Sequence, residues 1–425
     1  MTHAHGFRER LSHLYGSENE VLSRQLRRWD GLVDQFRERF GESEVGLFST
    51  PGRTEIGGNH TDHNHGKVLA ASVHMDSIAV AAKASRRSIS LFSEGYPEGF
   101  QVGLDELSPR DSERGTTAGL VRGIAARFGQ LGYGLGGFNA CMTSDVLVGS
   151  GLSSSASIEI LIATIINCFY NNGEVEPQTI ALIGQFAENN YFGKPCGLMD
   201  QTTCAVGGII KIDFANPHNP HVEKIEFDFA HAGYSLLVVD TGGNHADLTE
   251  DYASIPREMK SVAAHFHKEW CRDISRKEIF KDIRGLRGSV GDRAFLRAFH
   301  FIEENERVEL QVEALRARDI QAFLRLVTES GRSSLQWLQN CSTTNNVMEQ
   351  SITLGLALSE HFLKRIGAGA CRVHGGGFAG TILVFLPHER VPEYISFMES
   401  AFTPGCVKQL RIRPIGTTSL MQKSL

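Results

Sequence analysis

Residues 148–156 have the sequence Val-Gly-Ser-Gly-Leu-Ser-Ser-Ser-Ala and run directly into the apolar segment Ile158–Tyr170. Glycines allow a backbone to approach a phosphate closely and to point successive N–H groups at it. The hydroxyls of Ser153–Ser155 add donors, and the helix predicted to begin here offers the positive end of its dipole. A predicted strand, Gly136–Thr143, precedes the loop. The order of strand, polar loop and buried helix therefore predicts a phosphate-binding loop.

The loop differs from two common glycine-rich motifs. No Gly-Lys followed by Ser or Thr closes it, so it is not a Walker A loop, and serine replaces the last glycine of a G-x-G-x-x-G fingerprint. A flexible surface turn is the simpler interpretation, but a linker would not lead straight into a strongly apolar helix. One of the serines is also a candidate ligand for Mg²⁺, which prefers hard oxygen.

Upstream, the turn-rich stretch Pro51–Gly66 lies between predicted strands and is rich in polar side chains. It holds one arginine, three histidines, two asparagines and one aspartate. Such a stretch can line a pocket with donors and acceptors matched to sugar hydroxyls. The histidines His60, His63 and His65 also suggest a metal site, although no paired cysteines or familiar ligand spacing support one. A solvated loop is the third interpretation.

Downstream, Ala187–Gln201 places two carboxylates, Glu188 and Asp200, on either side of a Gly-Lys-Pro turn. One carboxylate can hold a metal ion while the other accepts a proton. By itself this pattern is weak, because an aspartate in such a position is often a helix cap. A further segment, His374–Gly380, carries three consecutive glycines and predicts a very close backbone approach to a phosphate or to another loop.

Composition and charge limit the function classes. The 425 residues are enough for two domains, and a net charge of -6 argues against a nucleic-acid scaffold. Eight cysteines without a C-x-x-C pair suggest neither a zinc site nor a disulfide framework, so reduced thiols in the cytoplasm are expected. The N-terminus lacks the apolar core of a signal peptide, and no apolar stretch is long enough to span a bilayer.

Taken together, the four segments resemble the GHMP kinase superfamily and, within it, the galactokinases. Galactokinases carry a signature similar to P-G-R-V-N-L-I-G-E-H-T-D-Y-N, where this chain reads PGRTEIGGNHTDHN from Pro51. Their G-L-S-S-S-A is unchanged at Gly151–Ala156, and their A-E-x-x-x-x-G-x-x-C-G-x-M-D-Q is present at Ala187–Gln201. Their G-x-G-F-G-G loop is matched at Gly375–Gly380. The resemblance extends from about Val45 to about Leu386, most of the chain.

The resemblance implies an α+β, two-domain GHMP kinase fold with the active site in the cleft between the domains. The N-terminal domain, expected at 1–215, would be ribosomal protein S5 domain 2-like. The C-terminal domain, expected at 216–425, would be ferredoxin-like. The junction is placed at Asn216–Val222, which contains two prolines. The adenine pocket is expected near Ser85–Phe92.

The resemblance also implies a role for each matched residue and for two partners of the reaction, ATP and Mg²⁺. Asp200 falls on the catalytic aspartate, and Arg53 on the arginine that stabilises the forming alkoxide and keeps the aspartate ionised. Metal ligands are expected at Ser155 and Glu188. The sugar-binding positions implied are Asn59, His60, Asp62, Gly197 and, by a looser alignment, Tyr252. The residues expected around the nucleotide phosphates are Gly149, Ser150, Gly151, Leu152, Ser153, Ser154, Ser155 and Ala156.

The predicted reaction is phosphorylation of a monosaccharide, galactose first, at its anomeric hydroxyl. Asn59 departs from the family, which usually carries glutamate there, so a uronic acid or N-acetylgalactosamine is an alternative substrate. Further departures occur at Glu55, His63 and Leu147, which replace asparagine, tyrosine and proline.

Two other functions compete with this prediction. One is a non-catalytic regulator that binds galactose and ATP, and the other is a different GHMP enzyme such as mevalonate or homoserine kinase. A cytoplasmic monomer without nucleic-acid or membrane partners is expected.

Overall fold

The computed structural model describes residues 5–41, 44–94, 96–146, 151–194, 196–243, 248–343 and 345–424. Two predicted phosphate-loop residues, Gly149 and Ser150, lie outside the described residues, as does Leu147. The helices are α1 (His5–Tyr15), α2 (Asn19–Phe40), α3 (Thr117–Gln130), α4 (Ser154–Tyr170), α5 (Pro177–Ala187), α6 (Met199–Val206), α7 (Thr249–His265), α8 (Arg276–Lys281), α9 (Ile283–Val290), α10 (Asp292–Arg316), α11 (Ile320–Ser333), α12 (Ser351–Ile366) and α13 (Val391–Ala401). The strands are β1 (Glu44–Gly57), β2 (Lys67–Lys83), β3 (Ser88–Ser93), β4 (Tyr96–Gly103), β5 (Phe138–Ser144), β6 (Ile209–Asp213), β7 (His221–Ile225), β8 (Tyr234–Asp240), β9 (Ala370–Val373), β10 (Thr381–Pro387), β11 (Val407–Leu410) and β12 (Thr418–Ser424).

A large sheet forms the first structural unit. Within the described segments its strand order is β12-β1-β2-β5-β3-β4, with β6 pairing with β2 and β7 pairing with β6. Alternate residues of β2 point to opposite faces of the sheet, and both sets are buried, so the sheet is covered on both faces. Ala79 and Ala81 pack with α3 to α6, while Ile78 and Val80 pack beneath α1 and α2. Strand β2 is long and unbroken, and it pairs with β1 along most of its length.

A second sheet has the strand order β11-β8-β10-β9, and all its pairs are antiparallel. Numbered along the chain, this is the order 4-1-3-2 of a split βαβ arrangement, which is the ferredoxin-like pattern. One face packs against α12 and α13, and the other packs towards α10 and α11. The predicted α+β, two-domain architecture is confirmed.

The limits of the first sheet do not coincide with the boundary expected at 215/216. Strand β7 follows that boundary and still pairs with β6, and β12 returns from the far end of the chain to pair with β1. The proline-containing segment Asn216–Val222 therefore leads into a hairpin of the first sheet rather than out of it.

A buried ion network fastens α1 and α2 to the sheet. Asp76 is fully buried and accepts hydrogen bonds from Tyr15 at 2.5 Å and from Arg28 at 2.6 Å. On its other side it accepts hydrogen bonds from Ser49 and, at 3.2 Å, from Arg413. Burial alone would raise the pKa of Asp76, but the two arginines outweigh it and lower the pKa.

Across the segments that the structure describes, no helix has both the length and the apolar character needed to cross a membrane. The apolar stretch from Ile158 lies within α4, which is buried against the large sheet.

Candidate active site

The phosphate loop enters α4 through two residues in the left-handed region. Gly151 has φ +72° and Ser153 has φ +60°, and the helix begins at Ser154. A Cβ on Gly151 would lie 2.5 Å from Oγ1 of Thr381 and 2.7 Å from Nδ1 of His374. Only glycine therefore fits where the loop passes the turn between β9 and β10.

Arg53 and Asp200 form a bidentate ion pair beside this loop. Arg53 Nε donates to Asp200 Oδ1 at 2.6 Å, and Nη2 donates to Oδ2 at 2.8 Å. The remaining Nη1 donates to the carbonyl of Gly151, and the backbone N–H of Arg53 donates to the carbonyl of Leu152 at 3.0 Å. Strand β1 thus joins the loop to the N-terminal end of α6, which carries Asp200.

These contacts fix the charge of Asp200. Burial alone would raise the pKa of its carboxyl, but the charge and hydrogen bonds of Arg53 outweigh burial and lower the pKa. The hydroxyl of Ser153 also donates to Asp200 Oδ2. The carboxylate is therefore ionised at neutral pH and held in one orientation.

Glu188 lies on the other side of the loop. Its Oε1 accepts from Ser155 Oγ at 3.3 Å and faces Lys194 Nζ at 3.4 Å, while its Oε2 accepts from Gln201 Nε2 at 2.8 Å. Gln201 Nε2 also donates to Glu159, whose pKa is raised well above its usual value by burial and by the nearby Glu188. The carboxylate and hydroxyl oxygens of Glu188 and Ser155 are the hard ligands that suit Mg²⁺.

Asn59 is closed to solvent and fully hydrogen-bonded. Its Nδ2 donates to Glu55 Oε1 at 2.9 Å and to the carbonyl of Gly375 at 2.8 Å. Its Oδ1 accepts from Asn340 at 2.8 Å and from Ser334 at 3.1 Å. In this structure the Asn59 amide is thus engaged by the protein itself.

The carboxylate of Glu55 points away from the cleft. Glu55 pairs with Arg372 at 2.7 Å, and both side chains are almost completely buried. Relative to the galactokinase signature, Glu55 and Asn59 exchange the positions of carboxylate and amide, and the two side chains contact each other. The exchange keeps one carboxylate in the pair but places it against a buried arginine.

Two of the other residues expected at the sugar, His60 and Tyr252, contact the glycine turn Gly375–Gly377. His60 Nε2 donates to the carbonyl of Gly376 at 2.8 Å, and burial lowers the pKa of His60 to about 3, so the ring is neutral. Tyr252 donates to the carbonyl of Gly377 at 2.9 Å. Asp62 packs directly on Gly197, where a Cβ would lie 1.8 Å from Asp62 Oδ2.

A cleft of about 500 Å³ lies where the phosphate loop meets Arg53 of β1 and Asp200 of α6. Of the predicted residues, its lining includes Arg53, Asp200, Glu188, Tyr252, Gly151 and Ser153–Ser155, together with Gly375–Gly377. The described lining does not include Asn59, His60, Asp62 or Gly197, and the side chains of Leu152 and Ala156 are buried in the core.

Several residues in the cleft could not be assigned from the sequence. His374 hydrogen-bonds Thr54 and Thr381, each at 3.0 Å, and burial lowers its pKa well below the usual value. Lys194 sits in a variable position of the quoted motif. The stretch Ser85–Phe92 borders a separate cavity beneath α2, and none of its described residues lines the cleft. Within the described chain, no group of three metal-ligating side chains is present at the histidines or elsewhere.

Comparison with known proteins identifies the family. The galactokinase galactose-binding signature matches residues 34–83, and the GHMP kinase N-terminal domain matches residues 119–208. Galactokinase of Glaesserella parasuis is 30% identical over 364 residues, which cover 84% of this chain and 89% of the relative. The chain belongs to the galactokinase family. This assignment confirms the predicted enzyme class, an ATP-dependent sugar kinase.

The chain is also similar to another galactokinase and to two solved structures. Galactokinase of Streptomyces coelicolor is 28% identical and covers 89% of this chain and 94% of the relative. The crystal structure of Lactococcus lactis galactokinase complexed with galactose superposes with a TM-score of 0.78 at 25% identity, covering 92% of this chain and 99% of that one. Methanococcus jannaschii mevalonate kinase covers 86% of this chain and 98% of its own, with a TM-score of 0.60 at 17% identity, and it shares the fold.

Proposed function

We propose that the protein transfers the terminal phosphoryl group of ATP to the anomeric hydroxyl of galactose, giving galactose 1-phosphate. The observation that carries the proposal is the Arg53–Asp200 ion pair beside the phosphate loop, at 2.6 Å and 2.8 Å. It sets an ionised carboxylate next to the site where a nucleotide phosphate would bind. The three galactokinases to which this chain is similar support galactose as the sugar.

In this proposal Asp200 accepts the proton of the sugar hydroxyl and Arg53 stabilises the oxygen that becomes negative. Phosphoryl transfer passes through a loose transition state, so positioning and charge neutralisation provide most of the rate acceleration. The described part of the phosphate loop, Gly151–Ser155, supplies hydroxyls and the N-terminal end of α4 to the phosphates.

We also propose that Ser155 and Glu188 hold Mg²⁺. Their facing oxygens, 3.3 Å apart, fit a hard cation. When bound, the ion would neutralise phosphate charge. Gln201 orients the second oxygen of Glu188 and leaves the first directed at the loop.

The sugar would be held by His60 and Asp62 of the segment Pro51–Gly66, by Gly197, which packs on Asp62, and by Tyr252. The neutral ring of His60 and the hydroxyl of Tyr252 are polar groups of the kind that bind sugar hydroxyls. The alternative substrates, a uronic acid or N-acetylgalactosamine, rest only on the departure of Asn59 from the signature, and the buried Asn59 amide is engaged by Glu55, Gly375, Ser334 and Asn340. We place the protein in the cytoplasm, because its eight cysteines are all free. We also propose that it is a monomer.

The experiment is a coupled ADP-release assay over galactose, galacturonate, glucuronate and N-acetylgalactosamine, with mevalonate and homoserine as further acceptors. Galactose is expected to give the highest kcat/KM. Calorimetric binding of galactose and ATP without ADP release would establish the non-catalytic regulator instead. Robust galactose turnover with none on either uronate would end the uronic-acid alternative.

A further inference from the structure

Lys194 reaches the cleft because the chain makes one wide helical turn after α5. The segment Glu188–Phe192 forms a π-turn, and Gly193 ends it with φ +86°. The backbone N–H groups of Gly193 and Lys194 both donate to the carbonyl of Glu188, at 3.0 and 3.2 Å. This geometry folds Lys194 back over Glu188, where its ammonium lies 3.4 Å from Oε1.

The charges in the cleft single out this lysine. Among the described residues that line the cleft, the charged side chains are two carboxylates and two cations: Glu188, Asp200, Arg53 and Lys194. Three of the five N–H donors of Arg53 are used, two on Asp200 and one on the carbonyl of Gly151, and only 8% of its side chain is exposed. Lys194 instead has one long contact to Glu188, and 64% of its side chain is exposed. Lys194 is therefore the cation that can more readily turn to a ligand.

The lysine is charged at neutral pH. An exposed lysine side chain is protonated well above neutral pH. An ammonium on a flexible four-carbon stem is a common phosphate ligand, because its three donors can follow a moving oxygen.

We propose that Lys194 leaves Glu188 when the nucleotide enters, binds the terminal phosphate of ATP and stabilises the phosphoryl group during transfer. The inference rests on the proposed kinase function. The bond from the terminal phosphorus to the bridging oxygen breaks, the bond to the sugar oxygen forms, and the sugar proton goes to Asp200. Lys194 keeps its protons throughout. The quoted motif leaves position 194 open, so this role does not follow from the signature.

The test compares Lys194→Met, Lys194→Arg and a control, Lys277→Met, which removes an exposed lysine on α8. Lys194→Met is expected to lower kcat about 10²-fold, the size found when one charge-stabilising group is lost. It should raise the Kd of AMP-PNP about tenfold and leave the Kd values of AMP and galactose unchanged, because AMP has no terminal phosphate at this position. Lys194→Arg should recover most of both losses, and Lys277→Met should match the wild type.

Three outcomes overturn the inference. They are a wild-type kcat in Lys194→Met, an AMP-PNP affinity that does not fall, and an AMP affinity that falls as much as that of AMP-PNP. Thermal melting of each variant separates misfolding from a local effect. If the wild type turns over no sugar, the proposed function fails, while the AMP-PNP and AMP measurements still test Lys194 by binding alone.

Discussion

Contacts with Arg53 and Ser153 lower the pKa of Asp200 and keep it charged, and 31% of its side chain is exposed. It accepts from Arg53 at 2.6 and 2.8 Å, and Ser153 donates to the same carboxylate. The motif around residue 200 could be matched in the sequence, but the sequence does not reveal that Ser153, expected only at the phosphates, contacts this carboxylate. That contact depends on the left-handed backbone of Ser153, which has φ +60°.

Substituting Asp200→Asn removes the proton acceptor and leaves the shape of the side chain. We expect kcat to fall by at least about 10³-fold, since general base and charge stabilisation are lost together. The galactose Kd should change little. The measurements are coupled ADP release and calorimetry, with Asp105→Asn as a control on a carboxylate that is 80% exposed. A fully active Asp200→Asn enzyme would refute the catalytic assignment.

The role of Asn59 could be predicted only in part. Its departure from the signature is visible in the sequence and suggested a change at the sugar. The structure adds that Asn59 contacts Glu55, which pairs with Arg372 more than three hundred residues away in sequence. A partner so distant in the chain cannot be inferred from local spacing, so the pairing of the Glu55 carboxylate with a buried arginine could not be predicted.

At the scale of elements, the phosphate loop depends on a close approach between two turns. Gly151 has φ +72°, and any Cβ there would meet Thr381 at 2.5 Å. The glycine of the loop was predicted to allow approach to a phosphate, and the structure shows that the turn before β10 also requires it. The strand–loop–helix order was predictable because each element has a strong local signal.

Gly151→Ala should push the loop away from the β9–β10 turn. Because a displacement of about 1 Å can cost roughly 10²-fold in rate, we expect kcat/KM for ATP to fall by that order. Gly173→Ala is a matched control, since Gly173 has φ +75° but no atom within 4 Å of its virtual Cβ. Both variants carry the same backbone strain of about 1 kcal/mol, and only Gly151→Ala carries the clash. Equal activity in the two variants would contradict this account.

At the scale of the whole molecule, the Asp76 network joins parts of the chain that are far apart in sequence. Arg28 comes from α2 and Arg413 from the segment before β12. We expect Asp76→Asn to lower the free energy of unfolding by about 3–5 kcal/mol, because it leaves two buried or nearly buried arginines without their carboxylate. Urea unfolding measures this effect, with the exposed Asp105→Asn again as control. An unchanged urea midpoint would show that the network does not stabilise the fold.

Neutral histidines that are buried or partly buried make stability depend on pH. Burial lowers the pKa of His60 to about 3 and of His74 to about 4, and it also lowers the pKa values of His300 and His374. Below pH 6.5 the unfolded chain binds protons at these rings while the folded chain does not, so stability falls as pH decreases towards 4.5. Each ring contributes up to about 1.4 kcal/mol per pH unit.

Unfolding by urea at pH 7, 6 and 5 at constant ionic strength tests this dependence. His74→Asn should flatten the slope, because it removes one of the titrating rings. A free energy of unfolding that is constant over this range would contradict the prediction.

The two-domain architecture could be predicted, because the motifs identify a known fold, but the place of β12 in the first sheet could not. Strand β12, Thr418–Ser424, carries mixed polar and apolar residues without a strand period, and its place beside β1 depends on long-range pairing.

That pairing has a consequence for how the protein is made. Strand β1 ends at Gly57 and β12 begins at Thr418, so the edge of the large sheet beside β1 is covered only after all the intervening residues have been synthesised. The growing chain therefore carries an open sheet edge over this span of translation. Such an edge invites pairing with other nascent chains, so slow elongation between β1 and β12 should favour aggregation over native protein.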